Sequence, residues 1–368
     1  MTQSEDLHIP VIDLAFDIPE SELVEQIANA CSEFGFFQVT NHGIAQELVQ
    51  QYIRQSQLYF NLPKHVKLQW KRNQCNSRGY FDDELTKQRR DWKEALDFGV
   101  PKSRDWSVPD ASPENHCLDG LNQLPSKDVL PDFRSTVVRY FDECATLSDR
   151  LAVLMAKGMH RDESEPMIQE LREKHSSYLR INHYPPCKEE PGDAPPPLGI
   201  SPHFDAGFLT VLLQDDGCHS LQVLKDDQWI TVHPVPGAFT INTGDMAQIW
   251  SNGKYKAPLH RVLTNVTKER YSAPFFYNPS YHARVEPLVQ EGETQIYHPV
   301  LWGYFRAVRF AGDLTDLGVE IQIDDFLKSK PTDHVSKQEI FAQEADLEKP
   351  FSVEVFRPLL VNSSESPQ

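Results

Sequence analysis

Apolar residues recur with two different periods along this 368-residue chain, and the change of period divides it. Early on the period is helical. From Ser21 to Phe34, Leu23, Ile27, Cys31 and Phe34 fall on one side of a predicted helix, with Asp17 and Glu20 at capping-box spacing and Pro19 suited to the first turn. Gly35 stops this helix. IPVIDL (9–14) ahead of it and FFQVTNHG (36–43) after it read as short strands, the second ending in a turn. A second amphipathic helix carries Leu48, Tyr52, Gln55 and Tyr59 until LPKHV breaks it. The strongest helical pattern runs from Phe133 to Gly158, with Val137, Phe141, Leu147, Leu151 and Leu154 at helical spacing.

From about residue 176 the texture changes. YLRINHY, FLTVLLQ, LQVL, WITVHPV, AFTINTG, HRVLTNV and SAPFFYN alternate with Gly, Pro, Asn and Asp turns, as in a sandwich or barrel. FLTVLLQ with the residues ahead of it reads as one extended segment over 201–214. Residues 101–128 and the run EEPGDAPPP read as irregular connections, YHPVLWGYF (297–305) as helical, and the tail VNSSESPQ as disordered. The predicted organisation has four segments: a mixed N-terminal region (1–130), a long linking helix (131–175), a β-rich core (176–290), and a C-terminal helical extension with its tail (291–368).

Composition narrows the function. A formal net charge of −18 argues against a nucleic-acid partner. The N-terminus shows no secretory pattern and no apolar run is long enough for a bilayer. The six cysteines are scattered without a CxxC pair, as expected of free thiols in a reducing compartment. These features predict a cytoplasmic monomer with a small-molecule substrate and no membrane or nucleic-acid partner.

The chemistry gathers late. SPHFDAGFLTVLLQ opens an apolar run with His203 and Asp205, which on a strand project from one face while Phe204 faces away. A second such triplet, His160-Arg161-Asp162, ends the long helix, where positions two apart diverge by about 200°; those residues read as solvated caps. His260, in YKAPLHRVLTN, offers a third ligand. Two histidines and one carboxylate with positions left open form the facial triad of non-haem Fe(II) oxygenases. Beyond it, Arg270 and Ser272 in RYS share a strand face, and a guanidinium fork beside a hydroxyl suits a carboxylate.

With HFD, His260 and RYS in that order, the chain resembles the plant-type small-molecule 2-oxoglutarate/Fe(II)-dependent dioxygenases, the group that includes isopenicillin N synthase. IPVIDL, FGFFQVTNHGI, RGYFDDELTKQRRDWKEALDFG, RINHYPPC and SNGKYKAPLHRVL carry the resemblance over most of the chain. It implies an α+β fold with a mainly β core: a double-stranded β-helix (jelly roll) with a helical N-terminal region and a C-terminal helical extension. It also implies His203, Asp205 and His260 as the catalytic iron ligands. Arg270 and Ser272 would hold the far carboxylate of 2-oxoglutarate, with Asn182 and Tyr184 as further cosubstrate contacts. The cofactors would be Fe(II), 2-oxoglutarate and O₂. The reaction would oxidise a specialised small metabolite by hydroxylation, desaturation or oxidative cyclisation through a ferryl intermediate, with succinate and CO₂ as co-products. The alternatives are a same-fold Fe(II) oxidase that does not consume 2-oxoglutarate, and a jelly-roll binding module without catalysis. The sequence departs from many relatives at Phe204, where they carry Thr, and at His219-Ser220, where they carry Pro-Gly; His219 is expected to be structural or solvated.

Phe276, on the face of Ser272, is a candidate substrate contact, as are Phe208 and Tyr80, with Phe81 beside the last; each has a competing reading as a packed core aromatic. Arg89 and Arg90 read either as an anion site or as a solvated helix face. Asp245 reads as a turn residue. Trp302, Tyr304 and Phe305 read as a pocket cap or as packing against the core, the second slightly preferred.

Overall fold

The computed structural model describes residues 8–73, 76–86, 89–101, 120–173, 175–188, 197–215, 217–306, 309 and 321–329. Most of the irregular connection over 101–128, nearly all of EEPGDAPPP, and the tail fall outside these residues.

In chain order the N-terminal elements are β1 (Val11–Asp13), α1 (Glu20–Glu33), β2 (Phe36–Thr40), α2 (Gln46–Phe60), α3 (Lys64–Lys67), β3 (Gly79–Phe81), β4 (Leu85–Thr86), β5 (Arg89–Arg90) and β6 (Glu94–Gly99). Two helices follow, α4 (Phe133–Gly158) and α5 (Pro166–Glu173). The core has β7 (Tyr178–Tyr184), β8 (Leu198–His203), β9 (Leu209–Gln214), β10 (Leu221–Lys225), β11 (Gln228–Thr231) and β12 (Phe239–Thr243). After these come α6 (Asp245–Trp250), β13 (His260–Leu263), β14 (Arg270–Tyr277), β15 (Arg284–Val285) and β16 (Val300–Leu301).

Three layers result. An eight-stranded sheet has the order β1-β2-β12-β9-β14-β7-β6-β3, and a four-stranded sheet the order β11-β10-β13-β8. Phe36, Tyr184, Leu212, Leu221, Val223 and Val262 form the apolar filling shared by the two sheets. The other face of the large sheet is covered by helices. The buried stripe of α4, including Val137, Phe141, Cys144, Leu147, Leu151 and Met155, packs on α1 and α2 and against β9 and β14. Each such side chain contributes about 1.5–3 kcal/mol through the apolar surface it buries. The sandwich is the jelly roll of an α+β fold. Strands from 1–130 extend its large sheet at both edges, so the N-terminal region is continuous with the core.

Several local expectations change. The Asp17/Glu20 capping box is not made: α1 begins after Pro19 without a side-chain cap. Residues 201–214 are two strands in different sheets, with the chain crossing from one to the other over 204–208. YHPVLWGYF is only partly helical, because Val300–Leu301 pairs with Arg284–Val285 and helix begins at Trp302. Arg89 and Arg90 lie exposed on a short strand rather than on a helix. α4 ends at Gly158, and His160 takes a left-handed conformation (φ 57°), so the helix does not continue through the His160–Asp162 triplet; both residues are exposed. Cys31, Cys144, Cys187 and Cys218 are buried free thiols. No helix among the described residues is long and apolar enough to cross a membrane.

Candidate metal centre and cosubstrate pocket

The crossing between sheets is where the ionisable groups meet. His203 ends β8 and pairs in register with His260, which begins β13, so the small sheet supplies two imidazoles side by side. Their ring centroids are 4.2 Å apart, and each Nε2 lies 3.7 Å from Asp205 Oδ1. One ligand atom from each of the three residues lies within 4.8 Å of the others.

Hydrogen bonding orients each group. His203 Nδ1 donates to Ser201 O (2.8 Å) and His260 Nδ1 to Pro258 O (3.1 Å). A carbonyl only accepts, so each Nδ1 carries a proton, and each Nε2 faces Asp205. Phe36 stands edge-on to His260. Asp205 Oδ2 accepts from Thr210 Oγ1 (2.6 Å) and Asn242 Nδ2 (2.7 Å), leaving Oδ1 toward the imidazoles. Burial and the adjacent His260 push His203 down to about 3. Burial alone would raise Asp205; the two imidazoles, Asn242 and Thr210 reverse this and hold it below its ordinary value. Two imidazole nitrogens and one carboxylate are the donor types that suit a divalent iron. The donor set fits.

On the inner face of the large sheet, Arg270 is opposite Tyr184 and Ser272 opposite Asn182. Arg270 is 2% exposed; its Nη2 donates to Gln214 Oε1 (3.3 Å), while Nε and Nη1 have no partner among the described residues. The Tyr184 ring lies 4.9 Å from its guanidinium carbon. Asn182 Nδ2 donates to Ser272 Oγ (3.3 Å), which leaves the Ser272 hydroxyl proton for another acceptor. A buried guanidinium with two donors unmet costs several kcal/mol unless an anion enters. A carboxylate at this end of the barrel would meet both.

Phe276, on the same face of β14, pairs with Tyr178 and with Thr210, the residue that holds Asp205. Its ring stacks on Tyr178 at 4.6 Å. The remaining aromatic candidates lie elsewhere. Tyr80 pairs with Leu96, which pairs with Ile181, so Tyr80 is on the helix-facing side and its hydroxyl donates to Glu94. Phe81 takes the inward register in its place. Phe208 is fully buried, edge-on to Trp250. The placement of Tyr80 follows from the two-residue period of a strand. Trp302, Tyr304 and Phe305 are buried in the main core, with Trp302 Nε1 on Ser176 Oγ. His219 is exposed, its ring against His233. Asp245 opens α6 rather than a turn.

Sequence reasoning missed Thr210, Asn242 and Gln214. Their signal was present: each is a polar residue at an inward position of a buried strand.

Comparison with known proteins agrees with this geometry. Residues 175–279 match the model of the 2OG-Fe(II) oxygenase superfamily, and residues 9–127 match that of the non-haem dioxygenase in morphine synthesis N-terminal region. The chain is 34% identical over 316 residues to Jasmonate-induced oxygenase 2 of Arabidopsis thaliana, covering 81% of this chain and 78% of that protein. It is 35% identical over 289 residues to Gibberellin 2-beta-dioxygenase 8 of the same plant, covering 77% of each. Among solved structures it is similar to JOX2 in complex with 2OG, Fe and JA, with a TM-score of 0.69, 33% identity, and 82% and 84% of the two chains covered. It is also similar to a full-length Neurospora crassa protein in complex with alpha-KG and thymine, with a TM-score of 0.70, 25% identity, and 84% and 98% covered.

Proposed function

This chain belongs to the 2OG-Fe(II) oxygenase superfamily, and on that premise we propose that His203, Asp205 and His260 hold its iron while Arg270 and Ser272 hold the far carboxylate of 2-oxoglutarate. The protein is a 2-oxoglutarate-dependent dioxygenase that oxidises a small metabolite, with Fe(II), 2-oxoglutarate and O₂ as cofactor and cosubstrates. The observation that carries the residue assignment is the presence of two complementary groups between the sheets. Two imidazoles and a carboxylate converge at one place, and unmet guanidinium donors stand on the inner face of the large sheet.

Iron, when bound, supplies the open coordination positions at which 2-oxoglutarate and O₂ react. The chain's own residues do the rest. The fork of Arg270 and the Ser272 hydroxyl fix one end of the cosubstrate, with Asn182 and Tyr184 beside it. Thr210 and Asn242 hold the Asp205 carboxylate by its outer oxygen. The stacked rings of Tyr178 and Phe276 form an apolar wall beside the metal, where they exclude water and seat the substrate. The guanidiniums of Arg78 and Arg306 lie 4.9 and 5.4 Å from the Tyr178 ring. Relatives named for jasmonate and gibberellin make a specialised plant-type metabolite the first class to screen.

The test is anaerobic titration of apoprotein with Fe(II) and 2-oxoglutarate, following the weak visible charge-transfer band of the chelate. The band is expected in the wild type and absent in His260→Ala. Iron bound without any band would overturn the cosubstrate assignment; no iron at all would overturn the metal assignment.

A further inference from the structure

The backbone of Asp205 is gripped from both sides by groups outside the metal site. Its own carbonyl accepts from Asp245 N (2.7 Å) at the start of α6. The preceding carbonyl, Phe204 O, accepts from Arg309 Nη2 (3.1 Å). Those two peptide planes set φ and ψ of Asp205, and hence the direction of its side chain. The two grips are joined to each other, because Arg309 Nη2 lies 3.5 Å from Asp245 Oδ2. Arg309 Nη1 donates in turn to Ile321 O (3.0 Å), and the Phe305 ring lies 5.7 Å away. Arg309 is 6% exposed, and the side chain of Asp245 only 1%.

We infer that Arg309 is a positioning residue that couples docking of the C-terminal segment to the metal centre, by clamping the Phe204–Asp205 peptide against α6. The inference rests on the metal assignment above. Three structural facts make it more than a packing contact. The contacted carbonyl stands between two of the three ligands. The closed circuit Arg309–Phe204–Asp205–Asp245 fixes the one ligand that no regular strand holds, since β8 ends at His203. The same guanidinium also ties residue 321, so order in one part requires order in the other. Groups that orient metal ligands are commonly worth about 10–100-fold in affinity. Because coupling is reciprocal, the metal must also favour the docked segment by the same factor. A lysine in this place could reach one acceptor but not present a fork to three.

The experiment uses the full chain with Co(II) as a redox-stable probe, read by its visible d–d absorption. Arg309→Gln is expected to raise the Co(II) dissociation constant about 10–100-fold and Arg309→Lys by less, with the far-UV spectrum of the apoprotein unchanged. In the wild type, Co(II) is expected to slow amide hydrogen exchange in residues 321–329; in Arg309→Gln that slowing is lost. Unchanged affinity in a folded Arg309→Gln protein overturns the clamp. So does wild-type exchange at 321–329 that ignores Co(II), a result that stands even when the variant fails to fold. Wild-type protein that binds no Co(II) overturns the metal assignment itself and is recognised as such before any variant is compared.

Discussion

Arg270 shows at the scale of one residue what the proposed cosubstrate site asks of a buried charge. Its Nε and Nη1 are buried without partners among the described residues, and Gln214 alone of these is within hydrogen-bonding reach of the rest of the guanidinium. Replacing both members of a buried pair is often tolerated, whereas leaving one charge unmatched is not. A guanidinium with only part of its donors met is expected to be destabilising in the apoprotein and, on the proposed assignment, favourable with a carboxylate bound. Arg270→Ala should lose the two charge-assisted bonds and raise the KM for 2-oxoglutarate roughly 100-fold or more. It should also raise the melting temperature of the apoprotein, or leave it unchanged. Arg270→Lys keeps the charge but not the fork, and about a tenfold rise is expected. Succinate release measured against 2-oxoglutarate concentration gives both values. A KM unmoved in Arg270→Ala would place the cosubstrate carboxylate elsewhere.

At the scale of the element, the decisive feature is the short crossing over 204–208, which carries Asp205 from one sheet to the other. It is moored on α6: Gly244 N donates to Phe208 O, Asp245 N to Asp205 O, and Met246 N to Gly207 O. So close an approach leaves no room at Gly244, where an added Cβ would overlap Gly207 O and come within 2.8 Å of Asp205 O. Gly244→Ala must push the crossing off the helix, and about 1–3 kcal/mol of destabilisation is expected from such overpacking. The loss should appear as a lower denaturation midpoint together with weaker Co(II) binding; a midpoint like that of the wild type would show that the crossing yields freely. This element also marks what the sequence reveals. The spacing of His203 and Asp205 indicated a shared site, yet the two do not share a strand, and they meet because a chain reversal aims them together. The inward position of Phe276 was legible because β14 is long and regular. The outward position of Tyr80 was not, because a three-residue strand has no visible phase until its partner, β6, is known. Helix α4 was legible in full because its apolar stripe repeats over 26 residues.

At the scale of the whole molecule the metal centre is a joint between layers. The two histidines come from the small sheet, while the hydrogen bonds that orient Asp205 come from Thr210 and Asn242 of the large one. Such pairings connect residues far apart in sequence, which is why strand runs could be read from the sequence but not their order, nor the way β1 and β2 at one edge and β6 and β3 at the other complete the large sheet. The consequence is thermodynamic. The apolar filling shared by the sheets is small beside the core under the helices, so a ligand bridging the two sheets adds to cohesion where it is thinnest. A ligand bound only by the folded state stabilises by RT ln(1 + [L]/Kd), about 2.7 kcal/mol at a hundredfold excess over Kd. For a chain of this size that corresponds to a rise of about 3–4 °C in melting temperature. Anaerobic Fe(II) or Co(II) should produce such a shift, a chelator should reverse it, and Asp205→Ala should abolish it. If the joint is real, amide protection should rise on β8, β13 and β9 together, across both sheets. Protection confined to the small sheet would mean that the metal is held by the histidines alone and that Asp205 is not a ligand.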